Sequence, residues 1–148
     1  DVFAQFRRQR SAMRAAGVTG QIVTLSNNAS GGFVKALGSA SRGVVVTQVF
    51  PSERAVTFPL VREATALAQQ AQVELTPAMV EGYTNAKVLV EGLRRAGPNP
   101  TRASLHNALE TFKKFDLGGL TLSYTAEDHS GLDFSDLSII GPDGYFRR

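Results

Sequence analysis

The segment from Thr76 to Pro98 constrains this chain most. Thr76 and Pro77 offer a capping hydroxyl and a first-turn proline, and Gly97-Pro98 cannot continue a helix, so the pattern predicts one helix over residues 77–96. Val80, Tyr83, Ala86, Val90 and Leu93 form one stripe along it, and such a stripe needs a surface to lie on. Residues 55–71 repeat apolar side chains at helical spacing, with Pro59 at the helix start. Pro100-Thr101 opens a third helix through about Phe112, with Leu105, Ala108, Leu109 and Phe112 inward. After Gly118-Gly119 the repeat becomes that of strands. Leu120 to Tyr124 alternates, Phe134 to Ile140 reads as a strand, Gly141 to Gly144 as a tight turn and Tyr145-Phe146 as a closing strand.

Upstream, residues 3–16 set Phe3, Phe6, Met13 and the stem of Arg10 on one helical face, and Gly17 stops the helix. Gln21 to Leu25 is β-rich and reads as a short buried strand. Ser26 to Gly32 is loop chemistry, with Ser30 suited to cap a short helix through Leu37. Gly38 to Gly43 is a turn, and Val44 to Phe50 is apolar almost throughout, as strands covered on both faces are. Pro51 ends it. A βαβ start, three helices and a β meander make a mixed α/β protein.

Composition sets the limits. In 148 residues the chain has 43% hydrophobic and 20% charged side chains, enough apolar material for a core and against disorder. It has no cysteine, which excludes disulfides, thiol nucleophiles and thiolate metal sites. No apolar run approaches the ~20 residues that span a bilayer. The chain opens Asp1-Val2-Phe3 without a signal-peptide pattern, which suggests processing or a longer parent. The net charge of +3 is uneven: residues 1–50 hold six Lys/Arg against one Asp, mostly as Arg7, Arg8, Arg10 and Arg14.

Catalytic patterns are weak. His106 and His129 fall on a helix and in a turn with no ligand spacing, so no metal site is expected, and Asp128-His129 reads as turn capping plus a surface hydrogen bond. Gly38-Ser39-Ala40-Ser41-Arg42-Gly43 misses the nucleophile-elbow spacing by one residue and lacks the Gly-Lys-Ser/Thr ending of a phosphate loop. Asp133 and Asp136 flank a strand on its solvated side. The arginines spread around their helix with no interleaved aromatic, which favours a solvated face over a nucleic-acid surface; the latter would bind bulk DNA with steep salt dependence. Ser26-Asn27-Asn28 offers hydroxyl and amide groups at the carboxyl end of a strand, where open parallel sheets bind ligands; the alternative is an ordinary Asx-capped turn.

Three stretches, in this order, resemble one family. Ala16-Gly17-Val18 closes the basic helix, and Lys35-Ala36-Leu37-Gly38 runs into Gly43-Val44-Val45-Val46-Thr47 and Pro51. Glu81-Gly82-Tyr83 leads to Val88 through Gly97, and Asp128-His129-Ser130-Gly131 precedes Gly141 through Phe146. Together they resemble the C-terminal part of a type I periplasmic substrate-binding protein, in the leucine/isoleucine/valine-binding branch that serves ABC transporters. The resemblance implies an α/β fold of two lobes with mostly parallel sheets flanked by helices and three hinge crossings, the N-terminal part being absent. It implies a periplasmic or membrane-anchored extracellular binding protein that closes on a small ligand and meets a membrane permease, with no reaction and no cofactor. A ligand-sensing domain of the same fold is the alternative.

On that mapping residues 1–49 and 120–148 belong to the second lobe and residues 52–117 to the first. Crossings fall near Phe50-Pro51 and Gly118-Gly119, and Ser26, Asn27 and Asn28 face the ligand. Where amino-acid-binding members often carry an acidic partner for the ligand ammonium, this chain has Ser26, and no Asp or Glu lies between residues 2 and 52. That favours a carboxylate or amide without an amine. The helices at 55–112 would lack the sheet they pack on, leaving stripes such as Val80/Tyr83/Val90/Leu93 open. Burying even ~500 Å² of such surface is worth on the order of 12 kcal/mol. The expected outcome is a chain held within a larger protein or against its own copy; a monodisperse monomer in native mass spectrometry would contradict it.

Overall fold

The computed structural model describes residues 2–26 and 31–147. The chain divides into two compact units, one of Asp1–Phe50 with Ser135–Arg148 and one of Pro51–Phe134. The first boundary falls at Phe50-Pro51. The second does not fall at Gly118-Gly119, so residues 120–134 belong with the helices and not with the N-terminal segment.

In the first unit, α1 (Val2–Ala15) ends at Gly17, whose φ of 74° is the left-handed turn a Cβ would resist. β1 (Val23–Thr24), α2 (Gly31–Leu37), a 3₁₀ turn (Gly38–Ser41) and β2 (Val45–Gln48) form the βαβ start. β6 (Asp136–Ile140) and β7 (Phe146–Arg147) complete a sheet in the order β1-β2-β6-β7. β1 pairs parallel with β2, while β2–β6 and β6–β7 are antiparallel. The α/β class stands, but strand direction departs from the mostly parallel sheets implied above. The reason is connectivity: α2 carries the chain back for the parallel pair, whereas the Gly141–Gly144 turn can only return it antiparallel. Gly144, with φ 78°, closes that turn by donating to Gly141 O at 3.1 Å. Phe33, Leu37, Val44, Val46, Ile140 and Phe146 form the core. Phe6 brings α1 onto it, edge-on to Phe33 with ring centres 5.9 Å apart.

β1 is shorter and more open than the buried strand expected over Gln21–Leu25. It is an edge among the described strands, so Val23 and Leu25 stay 57% and 65% exposed.

The second unit packs α3 (Pro59–Gln70), α4 (Pro77–Ala96) and α5 (Arg102–Glu110) with an antiparallel sheet of β3 (Phe115–Asp116), β4 (Thr121–Ser123) and β5 (Gly131–Leu132). The caps are those the sequence calls for. Thr76 Oγ1 accepts from Met79 N, and Thr101 with Ser104 forms a reciprocal capping box. Leu60, Val61, Val80, Phe112 and Leu117 are fully buried.

The face α4 buries is not quite the stripe expected. Val80, Thr84 and Gly92 are buried, whereas Val90 is 55% and Leu93 37% exposed. Packing selects the first face because Gly92 admits α5: a Cβ there would lie 2.9 Å from Leu109 Cδ2 and 3.0 Å from Leu105 Cδ1. Thr84 answers its own burial by donating Oγ1–H to Val80 O at 2.7 Å. The expectation that part of the apolar stripe stands open holds for Val90 and Leu93 and fails for Val80.

Gly118 and Gly119 make the β3–β4 turn. Asp116 Oδ1 accepts from both of their N–H groups at 2.8 Å, and Gly118 O accepts from Leu60 N at 3.0 Å. These bonds pin the turn to the start of α3. Gly118 has φ 108°, and a Cβ there would sit 2.6 Å from Leu60 N. Gly118→Ala therefore meets both backbone strain and a backbone clash, and should lose about 3 kcal/mol or more in urea unfolding. Gly17→Ala, with nothing within 4 Å, should lose only the left-handed cost of roughly 1–2 kcal/mol. Equal losses would refute this account of the turn.

An ion pair joins α3 to α4. Lys87 Nζ donates to Glu63 Oε2 at 2.6 Å and to Leu117 O at 3.1 Å, and Tyr83 Oη donates to the same carboxylate at 2.8 Å. The hydrogen bonds from Lys87 and then Tyr83 hold the Glu63 carboxyl below its ordinary range, while burial and the carboxylate push the Tyr83 phenol up to about 12. The Glu63 side chain is 47% exposed, so solvent limits the pair to about 1 kcal/mol. A carboxyl lowered on folding contributes fully above its unfolded value of ~4.3 and loses that contribution as pH falls through its folded value. The stability difference between the parent and Lys87→Met should thus be largest at neutral pH and shrink in acid to the Leu117 remainder; a pH-independent difference would refute it.

Candidate functional site

Three places could bind something, and each lies within one unit. The first is the carboxyl end of β1. Ser26 lies two residues past the strand and is half-buried, with Leu25 between them open to solvent. Asn27, Asn28 and the expected cap Ser30 lie outside the described residues. At the opposite, amino end of the β1–β2 pair, the Gly38–Ser41 turn holds Ser41 buried, its Oγ–H donated to Gly38 O at 2.7 Å. Arg10 clamps the same turn, donating through Nη1 to Ala40 O and through Nη2 to Arg42 O at 2.6 Å. Arg14 donates to Val18 O at 2.8 Å. Two of the four clustered arginines thus close backbone turns, and this separates them functionally from exposed Arg7 and Arg8. Partial burial and then Arg14's charge lower the Arg10 pKa, consistent with a structural clamp.

The second place is a depression of about 250 Å³ along α4, lined by Tyr83, Ala86, Lys87, Val90, Glu91, Arg94 and Phe115. Its charged groups are mostly paired internally, Lys87 with Glu63 and Arg94 with Glu91 at 2.8 Å. Arg95 also pairs with Glu91 at 2.9 Å and lies over the Phe112 ring, 4.3 Å from its centre. These contacts order the α4 surface and leave an apolar floor.

The third is a depression of about 230 Å³ between α5 and the β4–β5 loop, lined by His106, Leu109, Glu110, Tyr124 and His129. Here the structure joins two histidines that show no ligand spacing in sequence. Glu110 Oε1 lies 3.6 Å from His106 Nδ1 and 3.1 Å from His129 Nε2. The imidazoles meet edge to face, with centres 5.6 Å apart at 88°. His106 and Glu110 are one helical turn apart on α5, a signal available in the sequence; His129 joins them only because the hairpin folds back onto the helix. The expected turn capping at Asp128 is present, since Asp128 accepts from Ser130 N at 2.8 Å and from Ser130 Oγ. Those two bonds, the hydroxyl's first, hold the Asp128 carboxyl below its ordinary range.

Comparison with known proteins agrees with this fold. Residues 7–133 match the periplasmic binding protein family. A substrate-binding periplasmic protein from Ralstonia solanacearum is 34% identical over 95% of this chain and 41% of its own, with a TM-score of 0.77. A possible leucine/isoleucine/valine-binding protein from Rhodopirellula baltica is 26% identical over 96% of this chain and 39% of its own, with a TM-score of 0.82. An extracellular ligand-binding receptor from Verminephrobacter eiseniae is 32% identical over 94% of this chain and 40% of its own, with a TM-score of 0.74. The chain thus spans well under half the length of the solved proteins it matches, and no curated protein matches it. With the match running through both compact units, the chain belongs to the type I periplasmic binding protein family.

Proposed function

We propose that this chain is part of the solute-binding component of an ABC importer. The complete protein takes a small carboxylate or amino-acid-like ligand between two lobes, closes by hinge motion and delivers the ligand to a membrane permease from the periplasm. The observation that carries the reading is Ser26, a half-buried hydroxyl at the carboxyl end of β1 in the parallel β1–β2 pair. Open α/β sheets receive ligands at that end. On this reading Ser26, Asn27 and Asn28 contribute one wall of the site, and the chain crosses between lobes at Phe50-Pro51 and again at Phe134-Ser135. The absence of any Asp or Glu from residue 2 to residue 52 leaves an ammonium uncompensated on this wall, which favours a ligand lacking one.

The test is calorimetry on the purified protein with benzoate-type and aliphatic carboxylates against free leucine and valine. A carboxylate should bind, and Ser26→Ala should weaken it about tenfold, the value of one hydrogen bond to a charged group. Tight binding of a free branched-chain amino acid with no response to the simple acids would overturn the ligand class.

The reading also covers the open apolar surface. Val23 on β1 with the adjoining Leu25, and Leu89, Val90 and Leu93 on α4, belong against further chain of the same binding protein, or against a second copy where that is lacking. In native mass spectrometry the 15.9 kDa chain should travel with a second polypeptide or its own copy. A bare compact monomer would count against it.

A further inference from the structure

We infer that His106, Glu110 and His129 bind a divalent transition metal of the zinc class, which staples α5 to the β4–β5 loop. Three ligand atoms from these residues all lie within 4.8 Å of one another. Two ligands about 2.05 Å from a zinc ion at the tetrahedral angle are roughly 3.3 Å apart. The separations from Glu110 Oε1, 3.6 Å to His106 Nδ1 and 3.1 Å to His129 Nε2, bracket that value. Small side-chain rotations therefore suffice to seat an ion. Two imidazoles and one carboxylate are a donor set suited to zinc and its neighbours and poorly suited to calcium or magnesium, which take oxygen ligands.

The ligands are also held in advance. α5 is fixed at its start by the Thr101–Ser104 capping box, so His106 and Glu110 keep one face. The loop that carries His129 is closed on itself: Thr125 N donates to Asp128 O at 2.9 Å, and Asp128 N donates to Thr125 Oγ1 at 3.0 Å. The Tyr124 ring stands edge-on to His129, with centres 6.4 Å apart, and limits how far that imidazole swings. His106 and His129 are 61% and 54% exposed, so an ion can enter from solvent and a water can complete the tetrahedron. All three residues lie within the second unit, so the site does not rest on the importer reading.

The experiment is calorimetric titration of the tag-free chain with Zn²⁺ in a non-coordinating buffer, paired with Co²⁺ absorption. One equivalent should bind, and Co²⁺ should show the visible bands of low-coordinate nitrogen and oxygen ligation. His106→Ala and His129→Ala should each weaken Zn²⁺ by more than the ~10–100-fold that loss of an outer-shell partner costs. Lys113→Ala, on the exposed surface, should leave it unchanged. Zn²⁺ should also raise the melting temperature of the parent and not that of His129→Ala, because only the folded loop presents His129. Absence of Zn²⁺ binding, or equal affinity in parent and His129→Ala with matched circular dichroism, would overturn the site and leave a plain His–Glu contact.

Discussion

The second unit depends on the absence of a side chain at Gly92. Leu105 and Leu109 fill the place its Cβ would take, which lets α5 lie directly on α4. That close approach delivers the end of α5 to the hairpin. Phe112 is wholly buried under the guanidinium of Arg95, and its carbonyl accepts from Tyr124 N at 2.9 Å. The hairpin register follows, with Phe115 opposite Leu122 and Leu122 opposite Leu132. So does the return of the β4–β5 loop over α5, which sets His129 against Glu110. An alanine at position 92 would press on the ends of the Leu105 and Leu109 side chains, which would have to shift to admit it.

The first unit solves a different problem, since its central strand β2 is paired on both sides and its sheet needs a cover. α2 and Phe6 of α1 supply one. Arg10 adds a polar lock, tying α1 to the end of the Gly38–Ser41 turn through the carbonyls of Ala40 and Arg42. An arginine here serves better than a lysine because its fork reaches both acceptors at once. The charge that makes the N-terminal segment basic is thus partly structural, which weakens any reading of it as a nucleic-acid surface.

Much of this was legible in the sequence because it was local. The bounds of α4 follow from Thr76-Pro77 and Gly97, that of α1 from Gly17, and the inward face of β4 from the alternation of Leu120 and Leu122. What escaped was set by contacts remote in sequence. β3 is only two residues long and exists because Phe115 and Asp116 meet β4, so no periodicity announces it. Gly118-Gly119 carries the composition of a flexible joint, yet Asp116 and Leu60 make it a rigid turn. His106 and His129 have no common pattern, and only the packing of hairpin on helix makes them neighbours. Of the expected ligand wall, Ser26 alone falls among the described residues.

α4 carries the remaining argument, because it is apolar on two faces. One of them, through Val80, Thr84 and Gly92, is spent on α3 and α5. The other, through Ala86, Leu89, Val90 and Leu93, meets solvent. A surface helix needs only one apolar face, and a helix apolar on two sides is an interior one. The edge of β1 makes the same point in the first unit, with Val23 and the adjoining Leu25 open at a strand that pairs on one side only among the described strands. Exposed apolar residues scattered singly are ordinary, but residues aligned along one helix and one strand edge are the surfaces on which further layers pack. The proposed binding protein offers both units such a layer: further strands beside β1 in the first, and a sheet under α4 in the second.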